Sequence, residues 1–290
     1  MIVQGPDASQ RPYSDVVQVF ERNTLALPPL RAYLAELLDR RAFLVELARA
    51  EVRGQRSSTF LGELWSLIDP MFQALVYYLL FVVIRGGSGG GRATEFITAI
   101  IGSVFLFNYT RISISEGGRS ILRHRGLVLN AIFPRALLPM AEVYKGFRST
   151  LPAFAIYLVI HLAMRAPVTQ AVFLIPLLLV IQTVMNLGLA LLLSTATAYF
   201  NDVANLLTYI LRLLTVATPV MYPVSLLTPA LRGVLAWNPL FALFAAYQAI
   251  ITGEAPAFGL ILQSMVWATV TLVVGVWLFL RHERSFGIHI

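Results

Sequence analysis

From residue 63 to residue 280 the chain alternates long apolar runs with short segments that carry arginine. Six runs reach the roughly 20 apolar residues needed to cross a hydrocarbon core. They cover residues 63–84, 95–115, 134–164, 171–200, 203–224 and 258–280. Between the fifth and sixth lie two shorter apolar pieces, 230–237 and 240–251, broken by Pro229, Asn238-Pro239 and Gly253. Pieces of roughly 10–14 apolar residues read as re-entrant or interfacial, so the pattern predicts a half-membrane helical pair over 228–253. Upstream, Pro28-Pro29 suits a first helical turn. Leu30, Tyr33, Leu34, Leu37 and Leu38 then recur with helical spacing, while Arg31, Glu36, Asp39 and Arg40 fall largely on other faces. An amphipathic helix is predicted within 28–62. It lies either in the membrane interface or packed on the protein's own loops. The fold class is therefore all-α integral membrane: six transmembrane helices over 63–280, an N-terminal amphipathic helix and a re-entrant helical pair before the last span.

Composition agrees with the pattern. Hydrophobic residues make up 58% of the chain and charged residues 13%, against about a quarter charged in globular proteins, and the mean hydropathy is +0.74. The first run starts only after about 60 residues, so no cleavable signal peptide is expected. Arginine and lysine set the orientation. They crowd the region before Gly62, the segment from Arg111 to Arg148 and the tail at Arg281 and Arg284, whereas Arg85, Arg92, Arg165 and Arg232 stand alone on the other side. Both termini are thus expected in the cytoplasm, with a flexible tail over 1–27 and a short one over 281–290, and the re-entrant pair outside. The pI near 10 reflects this orientation rather than nucleic-acid binding. The absence of cysteine excludes disulfides and thiolate chemistry.

Candidate chemistry narrows the picture further. The sole lysine, Lys145, is followed by Gly146 and Phe147, so there is no phosphate-binding G-x-x-x-x-G-K-[ST] loop. Any ATP, with its magnesium, belongs to another subunit, and this chain is expected to hold no cofactor or metal. The glycines from Gly86 to Gly91 lack a lysine and read as a flexible outer loop. His124, His161, His282 and His289 are scattered, and His161, at membrane depth, suits an interhelical hydrogen bond. Glu142, Lys145 and Arg148, three residues apart near the inner end of the third run, are accounted for by pairing and snorkelling. From Gly117 to Asn130 a short helix is expected, with Ile121, Leu122, Leu127 and Leu129 for packing and Arg119, Arg123, His124 and Arg125 for electrostatics. Two readings fit it: a docking element, or a connector that obeys the positive-inside bias. The rings of Phe72, Tyr77, Tyr78 and Phe81, and of Phe96, Phe105, Phe107 and Tyr109, fit interfacial anchoring and core filling, or contact with sugars.

These residues carry a resemblance. Leu61-Gly62-x-x-Trp65 followed by Pro70, Phe133-Pro134-Arg135 with Leu138-Pro139, Tyr199-Phe200-x-Asp202-Val203, Pro219 with Tyr222-Pro223, and Asn238-Pro239 before a short apolar segment occur in this order over residues 53–253. In this the chain resembles the membrane permease of polysaccharide-exporting ABC transporters, the Wzm/TagG type that moves O-antigens, teichoic acids and the actinobacterial galactan precursor. Asn201 departs from the pattern, standing where the family usually carries a basic residue. The resemblance implies a homodimer in the bacterial inner membrane with two separate ATPase subunits, exporting a lipid-linked polysaccharide through a channel lined mainly by the first and fifth spans. It implies ATPase coupling at Arg119, Arg123, His124 and Arg125, and a substrate path along Tyr77, Tyr78, Phe81, Phe107 and Tyr109. Leu61, Gly62, Trp65 and Pro70 would form the pivot where the lipid anchor comes in laterally. Competing readings are a permease for a small hydrophobic drug or lipid, and an integral-membrane glycolipid transferase, which needs clustered carboxylates or histidines.

Overall fold

The computed structural model describes residues 30–56, Ile68, Met71, Phe72, Leu75, Val76, Leu79 and residues 91–289. Among the described residues every regular element is helical. Four helices are long and apolar enough to cross a membrane: Ile97–Arg123, Leu137–Ala163, Gln170–Tyr199 and Phe258–Ile288. They coincide with the second, third, fourth and sixth apolar runs. The fifth run becomes a 17-residue helix, Asn201–Ala217, stopped before Pro219. The first run falls mostly outside the described residues, although the six described ones, from Ile68 to Leu79, are all helical.

In chain order the elements are α1 (Leu30–Asp39), α2 (Arg41–Arg56), α3 (Gly91–Arg123), α4 (Arg125–Asn130), α5 (Leu137–Ala163), α6 (Ile175–Tyr199), α7 (Asn201–Ala217), α8 (Pro229–Leu235), α9 (Pro239–Ile251), α10 (Phe258–His282) and α11 (Phe286–His289). The expected amphipathic helix is thus two helices that meet at Arg40. Its apolar stripe divides: Tyr33 and Leu37 pack against the protein, while Leu34 and Leu38 stay open at 56% and 68% exposure. Part of α1 is therefore held by the protein itself. The residues after Leu280 are also held. Phe286 is buried edge-on against Phe279, with ring centroids 5.3 Å apart, and Glu283 accepts from the Tyr33 hydroxyl at 2.9 Å and the Arg135 backbone N–H at 2.6 Å.

Local chemistry punctuates the short helices. Thr228 caps α8 by accepting from Leu231 N–H, and Asn238 caps α9 by accepting from Leu240 N–H at 3.1 Å, each followed by proline. A capping oxygen satisfies a backbone donor that the helix leaves orphaned, and proline has no such donor to lose. Asn238 also donates to Ala217 O at 3.1 Å and to Thr218 Oγ1 at 2.9 Å. Gln248 on α9 donates to Pro219 O and Tyr222 O and accepts from Val224 N–H. Two side chains thus satisfy the irregular backbone after α7, which apolar surroundings would otherwise penalise. Gly253 ends α9 at φ +84°, a left-handed cap that glycine adopts without steric cost.

At the centre, α6 crosses α10 at backbone contact. A Cβ at Gly188 would lie 2.4 Å from Leu272 N, and one at Gly275 2.2 Å from Gly188 O. Ser264, Ala268, Thr271 and Gly275 form the small-residue stripe of α10 that lets the backbones approach. Gln182 on α6 donates to Leu106 O and Thr110 Oγ1 and accepts from Tyr247, all within 3.0 Å. His161 is satisfied too, but by the Tyr157 hydroxyl one turn back and by Pro167 O rather than across helices. The turn after α5 brings that carbonyl back under its own ring.

Candidate coupling site

The segment expected as a short helix over 117–130 has a different form. Gly117 to Arg123 are the last two turns of α3, and the chain bends only at His124 before α4 begins. Gly117 and Gly118 permit this extension, because added Cβ atoms would lie 2.7 Å from Ala190 Cβ and 2.8 Å from a Leu207 methyl. α3 therefore runs on, packed against α6 and α7, into an elbow.

Six charged side chains meet at that elbow. Glu116 pairs with Arg123, whose guanidinium also lies 3.1 Å from Glu142. Glu142 pairs with Lys145 one turn along α5. Lys145 donates to Glu51 Oε2 at 2.8 Å, and the other Glu51 oxygen lies 3.0 Å from His124 Nε2. The sequence of groups is acid, base, acid, base, acid, base, and it ties α2, α3, α5 and the elbow together. Side-chain exposure falls to 1% at Glu142 in the middle of the chain and rises to 37% at Arg123. Such a buried array adds little net stability over an apolar core, but removing one member leaves an uncompensated charge. It functions as a clasp.

His124 closes the clasp in a defined charge state. Its Nδ1 faces Ser120 O at 2.9 Å; a carbonyl only accepts, so Nδ1 donates, and Nε2 faces a carboxylate. Both ring nitrogens then carry protons. The ion pair with Glu51 accordingly raises the imidazole pKa above its ordinary value, outweighing burial. Burial alone would raise the Glu51 carboxyl, but His124 and Lys145 reverse that and hold it well below the usual carboxylate range.

The four expected coupling residues separate. Arg123 and His124 are members of the clasp. Arg119 turns toward α7, donating to Ala204 O at 2.7 Å. Arg125 is exposed and has no partner among the described residues. Glu51 was not expected at all, although a signal exists: with Leu44, Leu47 and Ala48 it completes a helically spaced stripe, and an acid on an apolar face needs a cation.

The expected substrate-path residues divide as well. Phe107 is 4% exposed and edge-on to Phe244 at 5.8 Å. Tyr109 is fully buried, donating to Thr183 Oγ1 at 3.0 Å and edge-on to Phe147. Among the described residues both rings are packed within the protomer. Tyr77, Tyr78 and Phe81, and the pivot residues Leu61, Gly62, Trp65 and Pro70, lie outside the described residues.

Residues 43–252 match the family model described as ABC-2 type transporter. A protein of Myxococcus xanthus named O-antigen export system permease protein RfbA is 29% identical over 217 residues, covering 74% of this chain and 82% of that one. A protein of the same name from Klebsiella pneumoniae is 20% identical over 247 residues, covering 84% of this chain and 93% of its own. The match runs from α2 through α9, taking in the clasp, the elbow and the two short capped helices. With four apolar helices of membrane-crossing length, this multi-pass membrane protein belongs to the ABC-2 type transporter family.

Proposed function

We propose that the chain is the membrane permease of an ABC exporter that moves a lipid-linked polysaccharide from the cytoplasm to the outer face of the bacterial inner membrane. The observation that carries this reading is the similarity to O-antigen export permeases over most of both chains. In this reading two copies form the channel, each with six spans. The first apolar run and the 17-residue α7 supply the other two, both termini are cytoplasmic, and α8 and α9 form the outer re-entrant pair. Residues 28–62 form the interface region, with the tail over 1–27 before it. ATP and magnesium are bound by two partner ATPase subunits. The three carboxylates and the histidine of the clasp are engaged by Arg123, Lys145 and one another, so they do not favour a transferase, and no observation among the described residues favours a small hydrophobic cargo.

The elbow is where the ATPase docks. Its clasp fixes α2 to α5, so a push at the elbow is transmitted to the interface helix instead of being lost in a loop. Arg125 is the residue placed to meet an acid on the partner, and Arg123 and His124 hold the elbow in shape. The test co-purifies the chain with its partner ATPase and follows glycan export into inverted vesicles. Arg125→Glu is expected to cut export about tenfold or more, the loss of one charged interfacial pair, with the melting temperature unchanged. Wild-type export in that variant would return the elbow to a mere connector. Absence of glycan export by the unaltered complex would sink the transport reading itself.

A further inference from the structure

The guanidinium and ammonium groups of the clasp are paired with acids, as at Arg123 and Lys145. Three guanidinium groups on α3 and α7 differ. Among the described residues Arg111 donates only to Asn108 Oδ1, from Nε at 3.1 Å and from a terminal nitrogen at 2.7 Å. Arg119 donates to Ala204 O at 2.7 Å and to Thr208 Oγ1 at 3.4 Å, and its Nε is buried without a partner. Arg212 is exposed, 5.8 Å from the ring of its neighbour Tyr209. Among the described residues none of the three lies within ion-pair distance of a carboxylate.

They share one flank. Gly118 faces Leu207, Ile114 clusters with Leu207 and Leu211, and Arg119 reaches back to Ala204, so α3 and α7 run antiparallel. Eight residues from Arg119 to Arg111 span about 12 Å at 1.5 Å per residue. The same step along α7 leads from Ala204 to Arg212, so Arg111 and Arg212 lie at about one level and Arg119 about 12 Å nearer the elbow. The Arg119–Thr208 contact fixes the side: Arg111, Ser115 and Arg119 succeed one another at four-residue spacing on α3, and Thr208 and Arg212 do so on α7. The acids nearest in sequence are Glu116, already paired with Arg123, and Asp202 in the first turn of α7. Beside the cations α7 exposes Tyr209, Leu213 and Val216 at 65%, 68% and 63%.

An unpaired guanidinium on a membrane helix is costly unless it meets water or an anion. Its planar fork matches phosphate oxygens, often in bidentate fashion. Three forks along one flank, with an apolar strip next to them, match an amphiphile whose head carries phosphate. We propose that the α3–α7 flank is a binding groove for a phosphate- or pyrophosphate-bearing lipid, with Arg111 and Arg212 holding the head group and Arg119 guarding its approach from the elbow. That this lipid is the anchor of the cargo rests on the export reading; the groove itself does not.

The test uses the full chain in nanodiscs of zwitterionic lipid, titrated with farnesyl diphosphate, farnesol and inorganic pyrophosphate. Farnesyl diphosphate is expected to bind saturably, with Kd raised about tenfold in Arg111→Gln and in Arg212→Gln, the effect of losing a charge-assisted hydrogen bond. Arg111→Lys and Arg212→Lys, which keep the charge without the fork, should fall between, and all four are compared at matched melting temperature. Arg148→Gln serves as control. It lies two residues from the buried Gly146, on the far side of α5, and should leave Kd unchanged. Farnesol binding as tightly as farnesyl diphosphate, or glutamine variants that bind like the wild type, would overturn the groove and leave the three arginines as snorkelling side chains. Inorganic pyrophosphate binding as tightly as the lipid would overturn the lipid assignment. Loss of export by the variant complexes with unchanged binding would overturn the groove but spare the export reading, whereas tight, arginine-dependent binding by a wild-type complex that exports no glycan would support the groove alone.

Discussion

Lys145→Met removes the ammonium group that lies between Glu142 and Glu51. Glu142, 1% exposed, then keeps only Arg123 as a cation, and Glu51 keeps only His124. The carboxylates have already lost their hydration on folding, so losing the attraction leaves the desolvation uncompensated. Breaking a buried pair in this way costs about 3–5 kcal/mol. An exposed pair on α2 sets the scale: Arg49 and Glu46 are 50% and 60% exposed, and Arg49→Met should cost about 0.5 kcal/mol or less. At roughly 2–4 °C per kcal/mol for a chain of comparable size, Lys145→Met lowers the melting temperature by about 6–20 °C and Arg49→Met by about 2 °C or less. Thermal unfolding of the detergent-solubilised full chain, followed by tryptophan fluorescence, measures both. Adding Glu142→Gln to Lys145→Met removes the charge left without its ammonium partner and should recover at least half of the loss. A Lys145→Met protein that melts within about 2 °C of Arg49→Met, or a double variant less stable than Lys145→Met, would refute the clasp.

Two further outcomes follow from the geometry. The Glu51–His124 pair makes the attachment of α2 depend on pH: the lowered Glu51 pKa contributes stability above about 4.3 that is lost as pH falls, and the raised His124 pKa contributes stability below about 6.5 that is lost as pH rises past its folded value. Protection of α2 against hydrogen exchange, corrected for the intrinsic pH dependence of amide exchange, should therefore be greatest between those values, and His124→Gln should flatten the alkaline limb; an unchanged limb would remove His124 from the clasp. Gly188→Ala places a methyl 2.4 Å from the α10 backbone and should cost about 1–3 kcal/mol as the helices separate, whereas Gly259→Ala in α10 meets open space and should be neutral or stabilising; equal melting temperatures for the two would contradict the close crossing.

Much of the helical layout was legible because its signals are local. Proline after a capping residue, at Thr228-Pro229 and Asn238-Pro239, starts a helix through groups a few residues apart. Runs of about 20 apolar residues declare a span without reference to any other. Orientation inside the bundle was not legible, since lipid-facing and protein-facing surfaces are equally apolar. Phe107 and Tyr109 thus fit core filling or sugar contact equally in the sequence, and their packing partners Phe244 and Thr183 lie far along the chain.

The charged residues show the same division. Sequence spacing alone placed Glu142 and Lys145 on one helical turn and marked the 117–130 region as basic. Only the tertiary structure brought Glu51 to Lys145 from 94 residues away, drew Arg123 and His124 into the clasp and left Arg125 open. It likewise set Arg111, Arg119 and Arg212 along one seam of two antiparallel helices. Helical periodicity decides which residues share a face; which face meets which is decided by packing, through the backbone approach that Gly188 and Gly275 allow and the buried charges that must be paired.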